Sequence, residues 1–424
     1  MEYSPKSVNL DLEREQAIWR TQRRLSQIDS QKLLKLKMGE LSEASVSTDS
    51  DVDYDDDDEK AIIQSVENYL SNVPQDRFGF LLNEKENMGE RDREILEEEL
   101  SYLKEYNEIL SNFDKFYWNP LGRASNRHQK RLKKLIRTCV PDHFRAELWR
   151  KLLRVEDKKL SHPDLYLYFL NKPLPDKIEY DISKDLERTF PKNTLFLDRN
   201  NMMIDQLRNV LHSVVNYDLD LGYVQGMGFI TGVFLMYMSE EDAFYCMLSL
   251  LHDEPWMLRL NFLQGLPGIH RSTFVQSGII RKFLPGLLDH MERCGGDWMM
   301  ATQSMYFSLF LYNYPFTFCL RFMDMLLSEG PKMFYRVSLG LLTSRKNEIK
   351  AMDQFEMAAF LTRGIAEVDS IDEILTHGFK YSLSRKLIDR LTAEYDEANS
   401  FNPSPSPAIP DVEAMDIDIA TIKL

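Results

Sequence analysis

Cysteine is scarce and unpaired: Cys139, Cys246, Cys294 and Cys319 stand far apart in 424 residues, with no C-x-x-C. That spacing argues against a disulfide framework and points to buried, reduced thiols. The eight histidines are scattered without H-E-x-x-H spacing, so no metal site is expected. No G-x-x-x-x-G-K-[ST] run occurs, which removes a P-loop, and no G-x-S-x-G, which removes a nucleophile elbow. Base is not in excess either: 52 Lys and Arg face 67 Asp and Glu, for a net charge of −15. A chain of that sign lacks the electrostatic footprint that phosphate backbones require, so nucleic acid is not an expected partner. The N-terminus has no basic stretch leading into an apolar one, and no signal peptide is expected there.

What is present is apolar and helical in pattern. The apolar fraction of 43% with 24 Phe, 19 Tyr and 20 Met can fill a large core. Residues 221–239 and 298–320 carry no charge. The first nevertheless holds Gln225 and four glycines, and the second holds Thr302, Gln303, Ser304, Asn313 and Pro315. Both read as buried helices of a soluble core and not as membrane spans. Ile204, Leu207, Leu211, Val214 and Val215 share one helical face, and residues 371–394 carry a similar stripe with an expected break at His377–Gly378. No series of alternating strands appears, so the fold class is all-α.

Composition divides the chain into four parts. Residues 1–59 are polar and include the acidic run 49–59, which accounts for eight units of the net charge. They read as a disordered acidic region. Residues 60–134 form a helical extension, with Ile95, Leu96, Leu100, Leu103 and Ile109–Leu110 near helical spacing and a basic cluster at 127–134 that reads as a helix face. Residues 135–399 form the main domain. Residues 400–424 open with four prolines in ten and read as a disordered tail. Both ends are expected to be dispensable for stability.

Three segments carry the candidate chemistry. In 181–196, Asp185 and Arg188 are three apart, and Pro191 disfavours helix at Phe190, which leaves Arg188 at an exposed element end. In 221–238, Gln225 enters an apolar helix between Gly222 and Gly226, where it either caps that helix or faces a partner. Residues 301–330 read as two core helices broken at Asn313–Pro315.

Together these resemble the TBC domain of Rab GTPase-activating proteins. The family's I-x-x-D-x-x-R-T matches Ile182, Asp185, Arg188 and Thr189, and its Y-x-Q-G-M matches Tyr223, Gln225, Gly226 and Met227. Leu309–Phe310 to Pro315, then Arg321, Asp324 and Leu327–Gly330, follow the third motif, and Val140–Pro141, Arg145 and Trp149 follow the entry pattern. The likeness spans about residues 135–365. Met305 and Met323 stand where the family usually has tryptophan, at positions that should be core.

The resemblance implies a TBC-like helical domain acting in trans on a Rab-family GTPase. Arg188 would neutralise charge on the transferring phosphoryl group and Gln225 would orient the attacking water. Asp185 would hold Arg188, and Thr189, Tyr223 and Gly226 would support the loops. The chain would need no cofactor of its own, since magnesium and GTP travel with the partner. It would be cytoplasmic and reach endomembranes peripherally through that partner. A scaffold that binds a GTPase without stimulating it, or an adaptor working through residues 60–134 or the tails, uses the same chain. The intact Arg188 and Gln225 distinguish an activator from the scaffold.

Overall fold

The computed structural model describes residues 76, 78–80, 89–117, 123–196, 202–368 and 371–410. Region 1–59, with its acidic run, and residues 411–424 lie outside the described residues. Its principal helices are α1 (Gly89–Ser111), α2 (Arg123–Thr138), α3 (Asp142–Leu152), α4 (Asp176–Leu186), α5 (Met202–Tyr217), α6 (Met227–Tyr237) and α7 (Glu240–His252). They continue as α8 (Pro267–Phe283), α9 (Trp298–Ser308), α10 (Phe316–Glu329), α11 (Lys332–Ser344), α12 (Ile371–Phe379) and α13 (Arg385–Ala398), with shorter turns between. The described residues contain no strand, only an isolated bridge between Phe80 and Asn193. The fold is all-α, as expected.

Helix α6 lies at the centre because all eleven of its residues are apolar, glycine or threonine and all are buried. It packs against α5, α7 and α9. Polar caps set the ends of its neighbours: the Ser239 hydroxyl accepts the Asp242 amide at 3.2 Å at the start of α7, and three acids fill that first turn. The second charge-free run is split into α9 and α10 around Leu309–Pro315, close to the expected break. Among the described residues no helix is long and apolar enough to cross a membrane. Met305 and Met323 are both buried, as core positions should be.

The entry pattern and the third motif meet in the core. Asp324, fully buried, accepts from Arg145 Nε at 3.1 Å and from Trp149 Nε1 at 2.8 Å. Arg145 also donates to Asp142 at 2.8 Å, and the Tyr237 hydroxyl joins the same carboxylate at 2.6 Å. A buried guanidinium requires this density of acceptors. These motif residues therefore clamp α3, α6 and α10 together and face no partner.

Three boundaries differ from expectation. Helix α2 runs through residue 134/135, so the extension is continuous with the domain. Its basic cluster packs as a helix face, with Leu132 and Leu135 buried and Arg131 paired to Glu105 at 2.7 Å. His377 and Gly378 lie inside α12, and the chain leaves the helix only beyond Phe379, because Gly378 sits in the crossing of α12 with α11, against the Arg336 carbonyl. The third difference is the tail.

Residues 401–410 were expected to be a free tail, yet they lie on the domain as a strap. Phe401 covers the Arg271 guanidinium at 4.6 Å, Tyr217 donates to the Pro407 carbonyl at 3.3 Å, and Arg259 donates to the Ser404 carbonyl at 2.9 Å. Proline-rich sequence cannot form helix here, but it supplies carbonyls to buried donors that need them. Loss of the strap would leave Arg259, 1% exposed, with an unsatisfied nitrogen. Such an orphan costs about 1–3 kcal/mol, and each kcal/mol shifts Tm by about 2–4 °C in a domain this large. A chain ending at Asn399 is therefore expected to melt several degrees below one ending at Pro410 in a thermal scan. Equal melting temperatures would show the strap contributes nothing.

Candidate functional site

The site is built where the loop after α4 meets the loop before α6. Helix α4 stops at Leu186, and Phe190 turns the chain with a positive φ of 46°, ahead of Pro191. The Phe190 ring is buried against Phe229 of α6 and Phe316 of α10. From the N-terminal side Phe80 packs on Phe190, the Gly79 carbonyl accepts the Thr194 amide at 2.8 Å, and the Phe78 carbonyl accepts from Asn193 at 3.0 Å. Part of the extension thus buttresses this loop without being helical. The extended contact was invisible to a search for helical stripes.

Arg188 rides on the anchored loop and is exposed, with no hydrogen bond or ion pair to its guanidinium among the described residues. The two residues after it, Thr189 and Phe190, are buried. Thr189 donates its hydroxyl to the Asp185 carbonyl at 3.0 Å, locking the turn.

Asp185 does not hold Arg188, contrary to the expectation from their spacing. Its Oδ2 accepts from the Tyr223 hydroxyl and from the Gly226 amide at 3.4 Å. The i, i+3 relation requires both residues to be in the helix, and α4 has ended before Arg188. Asp185 instead ties the arginine loop to the glutamine loop. Its Oδ1 is buried without a partner among the described residues. Burial, and then the Asp185 charge, push the Tyr223 phenol well above its usual range, so it remains a donor to that carboxylate.

Gln225 is exposed and does not cap α6; Gly226 occupies the cap with φ of 106°. A side chain there would lie about 2.6 Å from the Phe307 carbonyl, so only glycine lets α9 come this close. Two residues further, Gly228 leaves room for the Thr189 hydroxyl. These approaches hold Arg188 and Gln225 on adjoining loops with both side chains free.

A groove of about 350 Å³ opens beside Gln225, lined by Val224, Phe229, Met300, Gln303, Phe307 and Tyr312 among others. Met300 and Tyr312 are exposed. None of these groove residues stands out in the sequence motifs. Their signal was available: Met300, Gln303 and Phe307 share the face of α9 opposite the buried one, which Ala301, Thr302 and Met305 form. Of the six expected site residues, Arg188 and Thr189 lie on the first loop, Tyr223, Gln225 and Gly226 on the second, and Asp185 in the last turn of α4.

Comparison with known proteins places the chain beside one family. Residues 142–350 match the Rab-GTPase-TBC domain family model. The chain is 27% identical over 295 residues to the human ecotropic viral integration site 5 protein homolog, covering 68% of this chain and 36% of that protein. It is 27% identical over 255 residues to the Rab GTPase-activating protein tbc-11 of Caenorhabditis elegans, covering 59% of this chain and 26% of that protein. The chain thus spans about a quarter to a third of the length of these curated relatives. In fold it is similar to the crystal structure of the Chlamydomonas flagellar RabGAP TBC domain, with a TM-score of 0.59 and 21% identity, covering 73% of this chain and 100% of that one. The YPT/Rab-GAP domain of Gyp1p gives a TM-score of 0.51 at 18% identity, covering 65% and 98%.

Proposed function

Because the chain carries a Rab-GTPase-TBC domain over residues 142–350, we propose that it accelerates GTP hydrolysis on a Rab-family GTPase, with Arg188 and Gln225 as the catalytic side chains. The observation that carries this reading is that both side chains are exposed on loops joined through one buried carboxylate, Asp185. A solvent-facing arginine with no internal partner is available to a transition state in another protein. Its planar fork donates several hydrogen bonds to phosphoryl oxygens as charge builds there. The Gln225 amide, with one donor group and one acceptor, can hold and orient a water. The groove with Met300 and Tyr312 offers apolar surface beside the glutamine on which a GTPase can seat.

Magnesium and GTP belong to the partner in this reading, so the chain needs no nucleotide site. Contact with membranes would come through the partner, at the cytoplasmic face where Rab proteins work. The deciding experiment is single-turnover GTP hydrolysis by a panel of Rab proteins with the full chain in excess. Stimulation of one or more supports the proposal. Tight binding without stimulation would identify a scaffold instead.

The glutamine can be tested separately. Gln225→Ala is expected to lower the saturated rate about 10²-fold, in line with loss of one transition-state donor, and to change affinity by no more than a few-fold. A GTPase whose own switch glutamine is changed to alanine should still respond to the wild-type chain. A full saturated rate with Gln225→Ala would refute the glutamine assignment.

A further inference from the structure

The strap meets the glutamine loop through one buried side chain. Arg259 Nη1 donates to both the carbonyl and the hydroxyl oxygen of Ser404, at 2.9 and 3.1 Å. The other side of the same guanidinium donates to Asp218, with Nε at 2.5 Å from Oδ2 and Nη2 at 3.3 Å from Oδ1. Asp218 in turn accepts the Leu221 amide on Oδ1 at 3.1 Å, and its carbonyl accepts the Gly222 amide at 3.1 Å. Those bonds shape the stretch that leads directly into Tyr223 and Gln225.

Two serines in the strap are followed by proline, Ser404 and Ser406. They differ in access. Ser404 is exposed, whereas the Ser406 hydroxyl is buried and the next carbonyl, of Pro407, is held by Tyr217. The segment has no helix or strand, so it can enter the active site of another enzyme as an extended chain without first unfolding an element.

We propose that Ser404 is a phosphoacceptor for a proline-directed protein kinase, and that its phosphorylation releases the strap and loosens the loop that carries Gln225. In the transfer, Ser404 Oγ forms the bond to the γ-phosphorus of ATP. The bond from that phosphorus to the β,γ-bridging oxygen breaks, ADP leaves, and the hydroxyl proton passes to the kinase's carboxylate base. The product carries a charge of about −1.5 to −2 and three further oxygens where a neutral hydroxyl had fitted. Arg259 then faces two anions, the phosphate on exposed Ser404 and the buried Asp218. Their mutual repulsion is strong at short range beside the buried carboxylate, and lifting the strap into water relieves it. Asp218 loses a rigidly held partner as Arg259 shifts, and the Leu221 and Gly222 amides lose protection.

The proposal stands apart from the hydrolysis reading, because its test measures modification and backbone protection only. The purified full chain is treated with a proline-directed serine/threonine kinase and ATP, the sites are mapped by mass spectrometry, and hydrogen exchange is compared with a mock-treated sample. Phosphate is expected on Ser404, with exchange at least about tenfold faster at the Leu221 and Gly222 amides that Asp218 holds. Ser404→Ala should take no phosphate at that position and exchange as the unmodified protein does, since the backbone carbonyl contact to Arg259 remains. Phosphate on Ser406 alone, or on neither serine, would overturn the site. Phosphorylated Ser404 with unchanged or slower exchange over 218–226 would overturn the release.

Discussion

Arg188→Lys is expected to reduce stimulated GTP hydrolysis by about 10³-fold or more while leaving the melting temperature unchanged. An arginine supplied in trans contributes about 10³–10⁵ in rate, equivalent to about 4–7 kcal/mol of barrier. Lysine keeps the charge and most of the length but presents a point charge where a fork of donors is required. The fold has no stake in the change. Arg188 is exposed and unpaired among the described residues, and its loop is held by Thr189, Phe190 and Asn193 instead. Single-turnover hydrolysis with a responsive Rab protein, run beside a thermal melt, measures both. A lysine variant within a few-fold of wild type would show that charge alone suffices and would remove the argument from geometry. A lysine variant that melts early would show that the side chain also serves the fold.

Asp324→Ala is expected to do the reverse, destabilising the domain by about 3–5 kcal/mol. The carboxylate is the acceptor for Arg145 Nε and Trp149 Nε1, both buried. Its removal leaves a buried guanidinium with Asp142 as its remaining carboxylate and orphans the indole N–H. Equilibrium urea unfolding measures the loss. The cause can be separated from simple packing by also replacing Arg145 with methionine. If an uncompensated charge is responsible, the double variant recovers much of the stability, because apolar groups of similar volume often substitute for a buried ion pair. Unchanged stability in Asp324→Ala would show that Arg145 finds other acceptors. The two substitutions set an exposed motif side chain, Arg188, against a buried one, Asp324.

Some of this arrangement follows from local sequence. An eleven-residue stretch with no charge and small residues on every side can only be a buried helix, and α6 is one. Pro191 forbids helix at Phe190, so Arg188 had to fall on a turn, and the exposed turn is observed. Methionine adapts to irregular gaps, and Met305 and Met323 fill core positions. Each of these rests on a property that acts within a few residues: a dihedral limit, a helical period or a side-chain volume.

Other features needed the tertiary structure, because they depend on which surfaces meet. Asp185 and Arg188 are near in sequence, yet the carboxylate serves Tyr223 and Gly226, some forty residues away, since the helix ends before the arginine. Residues 78–80 fall in the segment read as a helical extension, yet they supply the carbonyls that anchor the arginine loop. The proline-rich end reads as solvent-exposed by composition, and only the position of Arg259, buried beneath it with a nitrogen to satisfy, brings residues 401–410 onto the domain. Local patterning determined that the chain is helical, where its core helices lie, and that an arginine stands at an exposed element end, while it left Gln225 between capping α6 and facing outward. The tertiary structure decided which buried donors and acceptors find each other. A buried polar group must be satisfied by whatever the fold brings within about 3 Å, however distant in sequence.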